Sequence, residues 1–445
     1  MLHLATPLVL AELGWMAMGI VDTMVVGRLS AEAIGAVSLG TTVLNTVGIF
    51  SAGLLLGLDT FVAQAFGAGD RDDCRKSLAG GIWLAVFLMI PVMAVIAGCV
   101  PLLASLGIDP AIMRETQPYI HAINWSAPPL LIYFGVRRYL QSMDVVRPVM
   151  ITLITANLVN LAGNWILVFG NLGAPRLGTA GSGWATCISR VYLAAVLVGV
   201  AIKHDPELIR IRWTPDFRRI RELLSLGLPA AGQLIVEMAV FATATVLIGR
   251  LNATALASHQ IVLTTVSTTF MMPLGISSAA AVRVGQAIGR GDLPGAARAG
   301  WTALGLGALM MSAAALMLIL VPHGIARLFT PDASIIGAAV VLLRICAFFQ
   351  LFDGFQVVAT GALRGVGDTR TPMLCHFTGY WIIGLPVGAL LCFHYSLGAP
   401  GLWIGLSVGL ILIGIVLLGF WRRAVHRLTA SLIGGATTAA GRSSP

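Results

Sequence analysis

The sequence predicts an all-α integral membrane protein, with twelve transmembrane helices in two pseudo-symmetric six-helix lobes. Three observations carry this prediction. Of the 445 residues, 57% are hydrophobic and only 11% charged, against roughly 25% charged in a soluble globular chain. Mean hydropathy is +0.90. Apolar segments of spanning length recur twelve times, at about 4–27, 33–66, 77–100, 117–142, 146–170, 181–202, 223–249, 254–288, 298–321, 334–363, 372–395 and 400–421. The chain also repeats itself at a shift of 222 residues.

Each apolar segment reaches the ~20 residues that cross a ~30 Å hydrocarbon core. In lipid such segments are helices, because a helix satisfies its own backbone groups. Spans well beyond 25 residues imply tilt or projection past the bilayer. Prolines at 7, 91, 128, 129, 229, 273 and 386 are expected kink points, above all the Pro128-Pro129 pair. The first span is longer than the core of a signal peptide.

Loop charge sets the orientation. The even-numbered connections and the C-terminal tail hold 20 Lys and Arg residues, from Arg71 through Arg137, Arg138, Arg212 and Arg364 to Arg442. The odd connections hold 5, and Arg190, Arg283 and Arg344 lie inside spans. The excess of basic residues inside places both termini in the cytoplasm. The net charge of +9 is therefore topological and does not mark a nucleic-acid partner. The six cysteines are scattered without a CxxC pair, so neither a disulfide framework nor a zinc site is indicated. Neither Lys76 nor Lys203 follows a glycine, which excludes a phosphate-binding GxxxxGK[ST] loop.

At a shift of 222, Pro7 aligns with Pro229 and Gly27-Arg28-Leu29 with Gly249-Arg250-Leu251. Gln64 aligns with Gln286, and Gly67, Gly69 and Asp70 align with Gly289, Gly291 and Asp292. At 224, Asp144 meets Asp368 and Pro148 meets Pro372. An even number of spans per repeat relates the halves by an axis along the membrane normal. The expected organisation is a lobe at 1–203, a cytoplasmic linker at 204–222, a second lobe at 223–425 and a tail at 426–445. The embedded acids are not duplicated. Asp22 meets Ala244, Asp59 meets Ala281, Glu237 meets Trp15, and Asp353 meets Leu131.

Those acids are the candidate site. Counted back from Arg364 at ~1.5 Å per residue, Asp353 lies ~16 Å along its helix, about half the thickness of the hydrocarbon core. An intramembrane acid is expensive and by default functional. Gln350 and Gln356 share its face. Glu237 lies midway between Glu222 and Arg250, with Gln233 and Phe241 one turn to either side. Two carboxylates in one low-dielectric cavity titrate as a pair, which suits either proton exchange or sodium held between Glu237 and Asp353. The alternative is a structural hydrogen-bonded pair.

Asp22 lies ~9 Å inside the outer end of the first span. Asn160 and Asn164, one turn apart, present one polar face that serves equally well as interhelical glue. Asp59 reads as a cavity candidate or as an acid hydrated at the inner interface. Gln260 completes the cavity candidates. Arg190 and Arg344 read as snorkelled or paired, and His121, His259 and His376 as satisfied interior histidines. Trp15, Phe241, Phe349, Phe352, Phe355 and Trp381 suit either a pocket for organic cations or ordinary packing. A GxGD string at Gly365–Asp368 falls in a loop and is set aside as a protease motif, and GxxxG pairs such as Gly53/Gly57 carry little information among 51 glycines.

Several stretches together resemble the multidrug and toxic-compound extrusion (MATE) family, in its NorM-like branch. They are PLVLAELGWMAMGIVDTMVVGRLS, VAQAFGAGD and NLAGNWILVFG in the first half. In the second half they are GLPAAGQLIVEMAVFA, ASHQIVLT, VRVGQAIGRGD, FFQLFDGFQV and GALRGVGDTRTP. The resemblance implies a cleft that alternates between inward- and outward-facing forms. It implies efflux of cationic amphipathic compounds coupled to H+ or Na+, with no other cofactor and no enzymatic step. The family's first-helix acid falls on Asp22, its fifth-helix polar pair on Asn160 and Asn164, and its sixth-helix threonine on Thr186. Its two second-half acids fall on Glu237 and Asp353. Phe349 stands where some members carry a tyrosine. The expected protein is a monomer in a bacterial inner membrane whose partners are lipid and small organic cations. A flippase for a lipid-linked precursor is the alternative, and it calls for a net positive cavity. An intramembrane aspartyl protease is disfavoured, because Asp22 and Asp368 lie near opposite sides of the membrane.

Overall fold

The computed structural model describes residues 1–105, 108–211 and 213–440, with the side chains of Ala31 and of 431–440 excepted. Arg212 and Arg442, counted above among the inner basic residues, and the end of the expected tail lie outside the described residues. The described chain is helical throughout: α1 (Leu2–Val26), α2 (Ala31–Leu54), α3 (Gly57–Ala68), α4 (Arg71–Ser105), α5 (Pro110–Asn124), α6 (Ala127–Ser142), α7 (Arg147–Phe169) and α8 (Thr179–His204). There follow α9 (Phe217–Gly249), α10 (Ala253–Gly289), α11 (Leu293–Leu320), α12 (Pro322–Arg327), α13 (Ala333–Val366), α14 (Arg370–His376), α15 (Leu385–Ala389) and α16 (Gly398–Ala440). Among the described residues, eleven helices are long and apolar enough to cross a membrane, with α2 and α3 taken as one. The twelfth expected span, 117–142, is built from α5 and α6.

Proline chemistry explains that division. Pro128 and Pro129 lack the N–H groups that the carbonyls of Asn124 and Trp125 would accept, and their rings crowd those carbonyls. The chain turns at Trp125–Ser126 and restarts with the prolines in the first turn of α6, where a missing N–H costs nothing. Pro7, Pro91, Pro229 and Pro273 instead sit inside continuous helices. Pro386 lies in the first turn of α15, and the eight residues before that helix, Phe377–Gly384, form a widened π-helical run. A further break falls at Leu55–Leu56, where no proline stands. There the N–H groups of Leu55, Leu56, Leu58 and Asp59 each bond the carbonyl three residues back, which tightens the turn between α2 and α3.

The chain divides into two compact units. One comprises Leu10–Phe66 and Asp70–Ala231, and the other Met1–Val9, Gly67–Gly69 and Gly232–Pro445. In the first, α9 crosses the α2–α3 break through residues spaced four apart. A Cβ at Gly57 would stand 2.7 Å from the Leu223 carbonyl oxygen, and one at Gly227 would overlap the backbone of Leu54. Gly57 therefore has a packing role that its spacing alone did not reveal. In the second unit α13 is walled by α10, α11 and α16, and its C-terminal part is buried from Gln356 to Gly365.

The repeat survives as matched helix ends. Gly69 and Gly291 both take positive φ, 78° and 73°, and the following N–H groups of Asp70 and Asp292 bond back to Ala65 and Ala287 at 3.0 and 2.9 Å. Asp70 and Asp292 then accept from the N–H of Asp73 and Gly295 and start the next helix. Ser30 and Asn252, again 222 apart, cap α2 and α10 in the same way. Most of the basic residues assigned to inner connections lie on helices, many of them in a first or last turn, and three stand out. Arg137, Arg138 and Arg364 lie on helices α6 and α13, with Arg137 and Arg364 buried, because each has packed or polar neighbours there.

Candidate functional site

In the first unit α1, α7 and α8 bring four predicted residues together. Asp22 is buried, and its Oδ1 accepts from Asn164 Nδ2 at 2.7 Å while its Oδ2 accepts from Thr186 Oγ1 at 3.0 Å. Asn160 Nδ2 donates to Thr186 Oγ1 at 3.3 Å. Asn164 Nδ2 also reaches the carbonyl and Oδ1 of Asn160, at 3.0 and 3.2 Å. The i, i+4 spacing on α7 puts both amides on the face that meets α8. The carboxylate is thus held by neutral donors. The nearest cation is Arg190 on α8, buried, within electrostatic reach of Asp22 and bonded to Ser126 Oγ at 2.6 Å. Its guanidinium stands 5.9 Å from the Trp15 ring, which itself stacks on Tyr133. Arg190 is therefore deep and engaged, whereas Arg344 is exposed.

Two acids in this unit are neutralised. Asp59, expected at a hydrated interface, is 1% exposed and bonds Arg138 at 3.3 Å. Glu12, which sequence reasoning did not weigh, is buried against the equally buried Arg137. Its signal was available, as an acid ten residues before Asp22 inside the first apolar run.

The second unit holds the other pair. Asp353 on α13 is buried, with Oδ1 accepting from Gln356 Nε2 at 2.8 Å and Oδ2 without a hydrogen-bond partner among the described residues. Gln356 also reaches Tyr380 Oη at 3.2 Å, and its Oε1 is buried and unbonded. Glu237 on α9 is half-buried, has no hydrogen-bond partner among the described residues, and feels the charge of Asp353. Tyr380 was missed in the sequence. It sits in the π-helical run, and its hydroxyl accepts from Gln356.

The remaining candidates of this unit have contacts of their own. Gln350 donates to Thr269 Oγ1 at 2.9 Å, and Gln233 lies 3.4 Å from His376 Nε2. Since His376 Nδ1 donates to the Pro372 carbonyl at 2.8 Å, its Nε2 accepts from Gln233. Phe241 meets Tyr380 edge-on with centroids 6.0 Å apart, and Phe349 stacks on Trp403. His259 accepts at Nδ1 from Trp403 Nε1 at 3.1 Å and so donates from Nε2 to Thr245. Gln260 is exposed and makes no hydrogen bond to the pair. Asp368, in the GxGD string, accepts from the N–H and hydroxyl of Thr371 and starts α14, which is a structural task.

A helical protein with this many apolar spans and a buried acid cluster in each half is a multi-pass membrane transporter. The MatE family pattern matches residues 7–166 and 229–390, so both halves are covered, and the chain belongs to the MatE family. It is 37% identical to a probable multidrug resistance protein NorM of Mesorhizobium japonicum, over 95% of this chain and 93% of that one. It is 34% identical to the multidrug resistance protein MdtK of Yersinia pseudotuberculosis, over 94% and 93%. Among solved structures, the eukaryotic MATE transporter AtDTX14 superposes with a TM-score of 0.86 at 20% identity, over 96% of this chain and 97% of that one. A Pyrococcus furiosus transporter of the MOP superfamily, described as having a binding pocket of reverse polarity, superposes equally well (0.86, 18% identity, 96% of each chain). The fold is thus shared across different pockets, and function has to be argued from the site. The family is one of transporters rather than enzymes, and the acids have no catalytic part.

Proposed function

We propose that this chain is a secondary multidrug exporter that moves small cationic amphipathic compounds outward in exchange for H+ or Na+. The observation that carries the reading is the Glu237–Asp353 pair. Two carboxylates share one low-dielectric site, and among the described residues no Lys or Arg is bonded to either. Such a pair persists only with a positive partner, whether a proton, a sodium ion or a cationic substrate. The unbonded Asp353 Oδ2 and Gln356 Oε1 are oxygens that suit either ion. Competition for these oxygens couples the two fluxes, because a ligand shifts two states only by its differential affinity for them. Asp22, held by Asn164, Thr186 and Asn160, is a second proton or cation site in the first unit.

The names of the relatives support multidrug export, and the loop charges support an orientation with both termini in the cytoplasm. On this reading the protein acts as a monomer in a bacterial inner membrane. A flippase for an anionic head group is not favoured, since Arg137 and Arg138 are matched by Glu12 and Asp59 and Arg190 lies beside Asp22. The test is export of ethidium from cells producing Asp353→Asn. Loss of export at normal membrane abundance is expected, and normal export refutes the assignment.

A further inference from the structure

A basic pocket lies at the α10–α11 turn, apart from both acid clusters. It encloses about 250 Å³ and is lined by Arg283, Arg290 and Arg298, together with Asp292, Gly295 and Thr302. Three arginines and a single acid thus line one small open space. That acid is occupied locally, since Asp292 Oδ1 accepts from Gly295 N–H at 2.8 Å at the start of α11. Arg283 is half-buried and bonds Gln286 Oε1 at 3.2 Å, while Arg290 and Arg298 are exposed.

The turn does not need these arginines. Its repeat mate at Gly67–Asp70 has the same positive-φ glycine and the same capping aspartate. At a shift of 222, however, Arg283 corresponds to Phe61 and Arg290 to Ala68, and only Arg298 keeps a basic mate, in Lys76. The scaffold was duplicated, but two of the three basic positions are particular to the second copy. An apolar track leads away from it along α11. Arg298, Thr302, Gly305, Leu309 and Leu316 follow at helical spacing, with nothing near the open side of Gly305 and with Leu309 and Leu316 exposed. Trp301, next to Thr302 in the chain, is 42% exposed, and tryptophan is a residue that favours the head-group layer.

We propose that this pocket seats the phosphate of an anionic phospholipid of the cytoplasmic leaflet. Arg290 and Arg298 hold the phosphate oxygens, Arg283 closes the inner wall, and an acyl chain runs along the Gly305–Leu309 track. Arginine suits this task because its fork of donors matches phosphate geometry. The assignment is independent of the transported compound and of the coupling ion.

The test is native mass spectrometry of the purified full chain in detergent, titrated with phosphatidylglycerol, phosphatidylcholine or inorganic phosphate. Wild type should retain phosphatidylglycerol in preference to phosphatidylcholine. An Arg290→Gln/Arg298→Gln double variant should bind it about 30-fold more weakly, from a factor of ~5 for each arginine near a charged leaflet. The charge-matched Arg218→Gln/Arg221→Gln variant should bind as wild type does. Equal weakening in both double variants means nonspecific basic charge, and inorganic phosphate displacing the lipid at similar concentrations means a soluble anion. Either result overturns the assignment, as does equal retention of the two lipids by wild type.

Discussion

Asp22→Asn separates the charge of the first-unit cluster from its shape. The wild-type carboxylate accepts from Asn164 Nδ2 at 2.7 Å and from Thr186 Oγ1 at 3.0 Å. An asparagine in the same rotamer keeps its Oδ1 on Asn164 and turns its amide toward Thr186. Thr186 can accept that amide, because its own proton has a second acceptor in the Ser182 carbonyl at 3.1 Å. No buried group is orphaned. Two charge-assisted bonds, at about 1.5–3 kcal/mol each, become neutral ones at about 0.5–1.5 kcal/mol, so the change amounts to about 2–3 kcal/mol. Removing a buried charge offsets part of even that. The variant should therefore reach the membrane at near-normal abundance, while ion-driven export falls at least tenfold because the site no longer exchanges a cation. Immunoblotting of membranes beside an ethidium efflux assay reads both. Thr186→Val is the contrasting change, as it leaves Oδ2 without its donor, whereas Thr186→Ser restores it. Undiminished ion-driven export by Asp22→Asn, or its loss only through absent protein, would refute the reasoning.

Three further outcomes follow from contacts away from the acid clusters. Arg137→Met strands the buried Glu12 and should destabilise the protein by about 3–5 kcal/mol, and Glu12→Gln in the same chain should recover much of it, as read by thermal unfolding in detergent. Gly57→Val, which drives a side chain into the Leu223 carbonyl, should lower stability by about 1–3 kcal/mol or more in the same assay. At the C-terminal end of α8, burial raises the pKa of Asp205, but two bonds from Arg75 at 2.7 and 3.0 Å and one from Tyr139 outweigh it and hold the carboxyl below its ordinary value. A depressed pKa adds stability above the unfolded value, about 3.9, which is lost as pH falls through the folded one. Asp205→Asn should therefore flatten the acid limb of the stability profile below about pH 4 and leave its slope near neutrality unchanged.

The membrane class, the spans and the repeat were legible because each rests on composition or on local chemistry that recurs at a fixed shift. Asp22, Asn160 and Asn164 were legible for a related reason, as polar groups inside apolar runs, whereas Thr186 was reached only through the family resemblance. What the sequence concealed depends on neighbours distant in the chain. Asp59 looked like an interfacial acid until Arg138 was seen against it, and Glu12 drew no notice until Arg137 did. The break at Leu55–Leu56 has no proline to announce it and is set by α9 passing over Gly57. Tyr380 carries no local sign of function, since only the widened run before Pro386 brings its hydroxyl to Gln356. Gln260, a cavity candidate, is exposed and makes no hydrogen bond to the acid pair.

The central claim is that an uncompensated acid pair couples an inward cation to outward export. Ethidium efflux from liposomes containing the purified protein, under an imposed proton gradient alone and then a sodium gradient alone, tests it most directly, with Asp353→Asn alongside. The account predicts efflux driven by at least one of the two gradients and abolished in the variant. Efflux that persists in Asp353→Asn, or that neither gradient drives, would contradict it.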